Sequence, residues 1–255
     1  MRSEKHSAVG LITPGTEPCW SATRLSDAAL YPEVLLNSIE QQRARSYHEG
    51  TPRQNFSNGR ILVKVLAAKM LNRDREPSTK LSPADLTIEQ LCPGCASTRH
   101  GNPRLRLPDR GGSLTLSYAR TGGWLVVAVS RAEQLLGIDV ADAADPAFAP
   151  GSGELLDDYA FSPQERAHLQ RMNLPQRIHQ RASWWSLKEA VAKASGVGLA
   201  GEDGIPIVEG DGKHVLLSSP GTRILALNSH TPDSLGHLLP DTLVGTLLWA
   251  PRSTK

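Results

Sequence analysis

Cysteine and aromatic residues are scarce in this chain, and neither sign of charge dominates. Three cysteines cannot build a disulfide framework, because one is left over once two have paired. A reducing, cytoplasmic setting is the expectation. Aromatic residues make up 5% of the chain and are scarcely interleaved with its basic cluster, which disfavours a base-stacking nucleic-acid module. A net charge of +2 leaves no global field to draw the protein onto nucleic acid or membrane. No apolar run approaches a membrane span; "WLVVAVS" (124–130) is of strand length. The opening "MRSEKHSAVGLITPG" lacks the continuous apolar stretch of a signal peptide.

What is present is a globular composition, 39% hydrophobic and 21% charged, in 255 residues, enough for one large domain or two small ones. Arg99, His100, Arg104, Arg106, Arg110 and Arg120 lie close in sequence with only Asp109 against them. Such a cluster suits a polyanionic ligand or a solvated basic loop, and both readings stand at this point. The first 40 residues read as irregular or as a short edge strand. Residues 39–71 read as two helical pieces broken near Gly50-Thr51-Pro52. In the second piece Phe56, Ile61, Leu62, Val65, Leu66 and Met70 form an apolar face, and Arg53, Arg60 and Lys64 fall off it. Residues 86–112 are rich in Pro, Gly and Arg and read as loop.

Alternation followed by "RTGG" and a more apolar arm predicts a hairpin over 113–130, and "QLLGIDVAD" (134–142) is the next strand. "SPQERAHLQRM" opens a helix with Ser162 as N-cap, Pro163 behind it and Glu165 closing a capping box. A tryptophan-rich helix follows, then short strands "IPIV", "HVLLS", "RILAL" and "TLVGTLLWA", with "EGDGK" as a turn. This order gives an α+β fold with antiparallel sheet rather than strict βαβ alternation.

Two stretches carry chemistry. In "WWSLKEAVAKASGVGL" (184–199), Trp184, Leu187, Val191 and Ala194 form an apolar stripe, while Glu189 and Lys193 stand off it, four residues apart. Alone, that pair reads as an exposed ion pair worth a few tenths of a kcal/mol, on the order of the usual i,i+4 contribution. In "LLGIDVAD", alternation puts Leu136, Ile138 and Val140 on one face and Gly137, Asp139 and Ala141 on the other. Carboxylates are depleted in strands, so Asp139 asks for a reason: a turn cap, or a ligand site with Gly137 leaving room beside it. One carboxylate from a strand and another from a facing helix suit Mg²⁺, which takes one or two protein carboxylates plus substrate phosphates.

These stretches resemble the 4′-phosphopantetheinyl transferases of the large, surfactin-synthetase type. That family shows a Gly-x-Asp strand and a Trp-Ser/Thr-x-Lys-Glu-Ala-x-x-Lys helix, which Trp185, Ser186, Lys188, Glu189, Ala190 and Lys193 match without a gap. Upstream, "SLTLSYARTGGWLVVAVS" is similar to the family's Ser-His hairpin, and "CPGCASTRHGNPRL" to a segment of actinobacterial members. "RQNFSNGRILVKVL" is similar to their Arg-containing helix. The resemblance implies a pseudo-dimer of two similar α+β halves, here 1–133 and 134–255, with the active site in the cleft between them. It implies transfer of 4′-phosphopantetheine from coenzyme A to a serine of an apo acyl or peptidyl carrier protein, with Mg²⁺, by a monomer. By position it makes Asp139 and Glu189 metal ligands and Glu189 and Lys193 the catalytic pair. Arg53, Arg60, Ser117, Tyr118, Arg120, Lys188 and Lys193 would contact coenzyme A.

Three positions depart from the family pattern. Ala141 replaces a second acid two residues after Asp139, and Asp142 points to the opposite face of a regular strand. Tyr118 stands where the family has histidine; it carries no positive charge at neutral pH, which Arg120 would have to supply. Asn102 replaces a basic residue. These departures keep open an alternative reading, a coenzyme A-binding, weakly catalytic relative serving an assembly line. Cys92, Cys95 and His100, with Cys19 as a fourth, have zinc-type chemistry, but a single Cys-x-x-Cys favours a plain turn.

Overall fold

In the computed structural model, the described residues are 17–25, 32–73, 75–91, 102–108, 112–131, 133–149, 154–196, 198–199, 205–208 and 221–252. They form an α+β protein with two antiparallel sheets. The first comprises β1 (Cys19–Arg24), β2 (Thr87–Leu91), β3 (Asn102–Arg106), β4 (Ser113–Thr121) and β5 (Trp124–Arg131), in the order β1-β5-β4-β3-β2. The predicted β4–β5 hairpin is present. Gly122 and Gly123 sit at φ 51° and 79°, the left-handed pair that a two-residue turn demands of its central residues.

The expected loop over 86–112 contains two strands instead. β2 and β3 are five residues each, and their inward side chains include Ile88 and Leu105 while Arg104 and Arg106 face solvent. Strands this short, with Pro103 among them, show too little alternation to be seen in the sequence. β5 is apolar throughout because both of its faces are covered. Leu125, Val127 and Val129 pack with one cluster, and Val126 and Ala128 with another.

The first face is covered by α2 (Thr51–Leu71), separated from α1 (Ser38–Arg45) by Gly50 at φ 89°. Ile61, Leu62 and Leu66 are buried as expected. Lys64 is not free for solvent or ligand: it is fully buried, ion-paired with Glu40 of α1 and donating to the Leu35 carbonyl at 3.0 Å. α1 packs on α2 and closes over the side the apolar pattern left open.

The second sheet has the order β6-β8-β7, from β6 (Gln134–Asp142), β7 (Arg223–Leu227) and β8 (Leu243–Pro251). Leu136, Ile138 and Val140 of β6 meet Val126 and Ala128 of the first sheet. The opposite face of β6 meets α5 (Leu174–Ser195), which follows α3 (Glu154–Ala160) and α4 (Pro163–Gln170). α4 opens with the predicted Ser162/Glu165 capping box. α5 begins at Leu174, ten residues before the tryptophan pair and capped by Asn173, and ends where Gly196 turns left-handed at φ 79°. Trp184, Leu187, Val191 and Ala194 are buried, as their spacing predicts.

Gly137 leaves no room for a ligand. A Cβ there would lie 1.7 Å from the Ala190 carbonyl oxygen, so the glycine lets α5 press against β6. Across the molecule, the buried Asp233 carboxylate accepts from Ser21 Oγ at 2.6 Å and the Ala22 amide at 3.0 Å, tying the β7–β8 connection to the edge strand β1. No described helix is long and apolar enough to cross a membrane. The Cys92/Cys95/His100 motif, the "EGDGK" turn and the "HVLLS" strand lie outside the described residues. Cys19, their suggested companion, is a free thiol buried in the core.

Candidate active site

Asp139 stands in the middle of β6 and faces α5, with only 7% of its surface exposed. Neighbouring hydroxyls fix its backbone: Ser186 Oγ donates to the Asp139 carbonyl at 3.1 Å, and the Ile138 amide donates to Ser117 Oγ at 3.0 Å. Lys193 Nζ donates to Asp139 Oδ1 at 2.7 Å and to the Ile138 carbonyl at 3.2 Å. Burial pushes the Asp139 carboxyl up from 3.8 to about 6; the Lys193 ammonium opposes this and the Glu189 charge adds to it.

Glu189 lies one turn before Lys193 and is half-buried, with no hydrogen bond or ion pair among the described residues. The helical pair read from the spacing is not made. Lys193 turns to Asp139 because a buried carboxylate in a low-dielectric strand attracts a cation more strongly than an accessible one does. Asp139, Glu189 and Lys193 line a cavity of about 380 Å³ together with Arg120, Asp145 and Trp185.

Two further cavities adjoin it. One of about 1020 Å³ shares Glu189 and Lys193 and runs along Ser113–Tyr118 of β4, so it is lined from both sheets. The other, of about 220 Å³, shares Tyr118 with the large cavity and Arg120 with the first. It is the more cationic. Arg43 and Arg60 stack on Phe56, 5.5 and 5.3 Å from its ring centroid, and Tyr47 stacks on the same ring at 5.1 Å. Burial, and then the neighbouring Arg43, hold the Arg60 guanidinium below its ordinary pKa. No acidic side chain lines this cavity among the described residues. Its positive lining favours an anion.

Of the predicted contacts, Arg60, Ser117, Tyr118, Arg120, Lys193, Asp139 and Glu189 line these adjoining spaces. Ser117 has a second task, holding β4 to β6 beside Asp139. Arg53 stands outside the linings, 3.5 Å from Glu33. Lys188 stands apart from these spaces as well. It is 1% exposed, donates to Glu165 Oε2 at 2.8 Å and the Ala160 carbonyl at 2.7 Å, and reaches none of the three cavities. Glu165 in turn accepts from the Ser162 and Val208 amides at 2.7 and 2.6 Å, so it joins α4, α5 and the chain near Val208. Burial lowers the Lys188 pKa, and the Glu165 pairing opposes that.

Sequence reasoning missed Arg43 and Asp145. Arg43 has the signal of a basic residue on the first helix, but its place beside Phe56 depends on how α1 folds back on α2. Asp145 follows β6 and caps a turn, its Oδ1 accepting from the Ala147 amide at 2.9 Å. Ala141 is packed with Phe148, Ala182 and Val244, and Asp142 caps the next turn through the Ala144 amide at 3.0 Å. Ala141 lines the same cavity as Asp139 but brings no donor there, and Asp142 is not in that lining. Among the described residues no group of three or more His, Cys, Asp or Glu side chains is arranged to hold a metal. The donor set lining the cavity nonetheless fits a hard divalent cation that keeps most of its water: Asp139, already holding an ammonium, Glu189 from the facing helix, and Asp145, one of whose oxygens caps a turn.

Residues 135–234, a span that takes in β6 and α5 with Asp139, Glu189 and Lys193, match the family model of the 4′-phosphopantetheinyl transferase superfamily. A phosphopantetheinyl transferase of Thraustochytrium sp. (strain ATCC 26185 / S-3) is 25% identical over 174 residues, which cover 66% of this chain and 54% of the relative. The chain thus spans about half the length of the curated relative it matches.

Proposed function

We propose that this chain is a 4′-phosphopantetheinyl transferase of the large, two-halved type, acting on apo carrier proteins of polyketide, nonribosomal-peptide or fatty-acid assembly. The observation that carries the reading is the meeting of two charge sets on adjoining cavities. Asp139, Glu189 and Lys193 come from β6 and α5, and Arg43, Arg60 and Arg120 come from the other sheet and its helices. Coenzyme A carries three phosphate groups along one molecule and would span such a row. The match over 135–234 supports the same chemistry.

In this reading the serine hydroxyl oxygen of the carrier attacks the phosphorus that bears pantetheine. A phosphodiester forms, the P–O bond to adenosine 3′,5′-bisphosphate breaks, and that nucleotide leaves. Glu189, the carboxylate without an internal partner, takes the serine proton. Lys193 turns its ammonium from Asp139 to the diphosphate, and Arg120 and Arg60 hold the nucleotide end. Asp139 and Glu189 would hold a magnesium ion, which supplies charge neutralisation at the diphosphate. Positioning and electrostatics supply the acceleration, with no covalent protein intermediate.

Ala141, which puts a methyl rather than a carboxylate in the lining beside Asp139, sustains a second reading: a coenzyme A-binding protein with little turnover. One assay separates the two. The protein is mixed with several apo carrier proteins, coenzyme A and Mg²⁺, and the carrier mass is read. A phosphopantetheine adduct on at least one carrier supports transfer. Coenzyme A binding without any adduct supports the second reading and overturns the first.

A further inference from the structure

Tyr118 occupies the position where the resemblance calls for a cation, and a neutral phenol cannot neutralise phosphate. The structure shows where its ring is used. Tyr118 and Arg120 are two residues apart on β4 and so share a face, and the Arg120 guanidinium carbon lies 5.3 Å from the Tyr118 ring centroid. The guanidinium also lies against α2. Gly59 lies in the interior of that helix, where glycine weakens a helix relative to alanine. A Cβ at Gly59 would stand 3.4 Å from Arg120 Nη2 and 3.5 Å from Leu125 Cδ2, so any side chain longer than alanine would push into the space the guanidinium uses.

The Arg120 side chain makes no hydrogen bond or ion pair among the described residues, and it lines two of the cavities. Its N–H donors thus have no such partner among the described residues, while the Tyr118 ring and Gly59 of α2 both lie against the guanidinium. Arg120 is itself exposed, and an exposed arginine loses rotamer freedom on binding; contacts that pre-orient it reduce that loss.

We propose that Tyr118 is a positioning residue: with Gly59 it forms a slot that holds the Arg120 guanidinium at the junction of the arginine-lined cavity and the Asp139/Glu189 cavity. Tyr118 acts through its ring face, and its hydroxyl is dispensable for this task. The identity of the anion, a phosphate of coenzyme A, rests on the transferase reading above.

The test is a double-substitution cycle on the full chain without added metal, with coenzyme A affinity read by calorimetry. Y118A is expected to weaken binding roughly three- to tenfold, the range of an exposed-to-partly-desolvated cation–π contact. Y118F should restore most of that loss. R120A should weaken binding by more than Y118A, and adding Y118A to R120A should change nothing further. Without any ligand, the Arg120 side-chain ¹⁵Nε order parameter should be high in the unaltered chain and in Y118F, and low in Y118A. Equal losses in Y118F and Y118A, additive losses in the double variant, or an equally ordered Arg120 in Y118A would each overturn the proposal. If the unaltered chain fails to bind coenzyme A, the transferase reading falls, and the order parameters alone decide the slot.

Discussion

Replacing Asp139 by asparagine should abolish transfer and yet make the metal-free protein more stable above pH 6. Burial raises the carboxyl from 3.8 to about 6 in spite of the Lys193 ion pair, so the folded protein holds this group's charge at a cost. The sign follows from proton binding. Below about pH 4 the group is protonated folded and unfolded, and no penalty exists. Between pH 4 and 6 the unfolded chain releases the proton first, and stability falls as pH rises. Above the folded pKa of about 6 the penalty is complete. The interval from 3.8 to about 6, at about 1.36 kcal/mol per pH unit, is worth up to about 3 kcal/mol. With an unfolding entropy of about 2.1 cal/mol/K per residue, 255 residues convert this into a Tm gain of up to about 6 °C. The assay is thermal unfolding of both proteins in chelator at pH 8, 6 and 4.5. D139N should be the more stable at pH 8, and its advantage should shrink towards pH 4.5. Lower stability of D139N at pH 8, or a difference independent of pH, would show that the ion pair outweighs the burial and refute the reasoning.

Other substitutions test the remaining assignments. Lys188→Met should destabilise by about 3–5 kcal/mol, because Glu165 is left charged and buried, and E165Q added to it should recover part of the loss. The urea midpoint reads this, and the folded fraction should keep its coenzyme A affinity, since Lys188 reaches none of the cavities. Gly137→Ala should cost about 3 kcal/mol by pushing α5 off β6, visible in the thermal midpoint. Raising the salt concentration should weaken coenzyme A binding and affect R60A less than the unaltered chain, because the arginine cavity contributes charge rather than shape.

The part of the site formed by β6 and α5 was legible because each element follows one period. Alternation over 134–142 put Asp139 on the face that meets α5, and helical spacing put Trp184, Leu187, Val191 and Ala194 inside. The capping box at Ser162 and the glycine at 196 are local signals, and both are made as local chemistry requires. What escaped the sequence depends on partners far along the chain. Lys64 and Lys188 look like surface lysines, and only Glu40 and Glu165, 24 and 23 residues away, make their burial possible. Gly137 reads as space for a ligand until the Ala190 carbonyl is seen to fill it. Lys193 reads as the partner of Glu189, yet the facing strand offers it Asp139. Arg43 joins the cationic cavity only through the fold of α1 on α2 and the shared face of Phe56.

The central claim is that Asp139 and Glu189 together form the reactive end of the site. Its most direct test is the intact mass of an apo carrier protein after incubation with coenzyme A, Mg²⁺ and the unaltered chain, D139N or E189Q, each checked for folding by circular dichroism. Complete conversion to the holo form is expected with the unaltered chain and none with either folded variant. Full conversion by E189Q or D139N would contradict the claim.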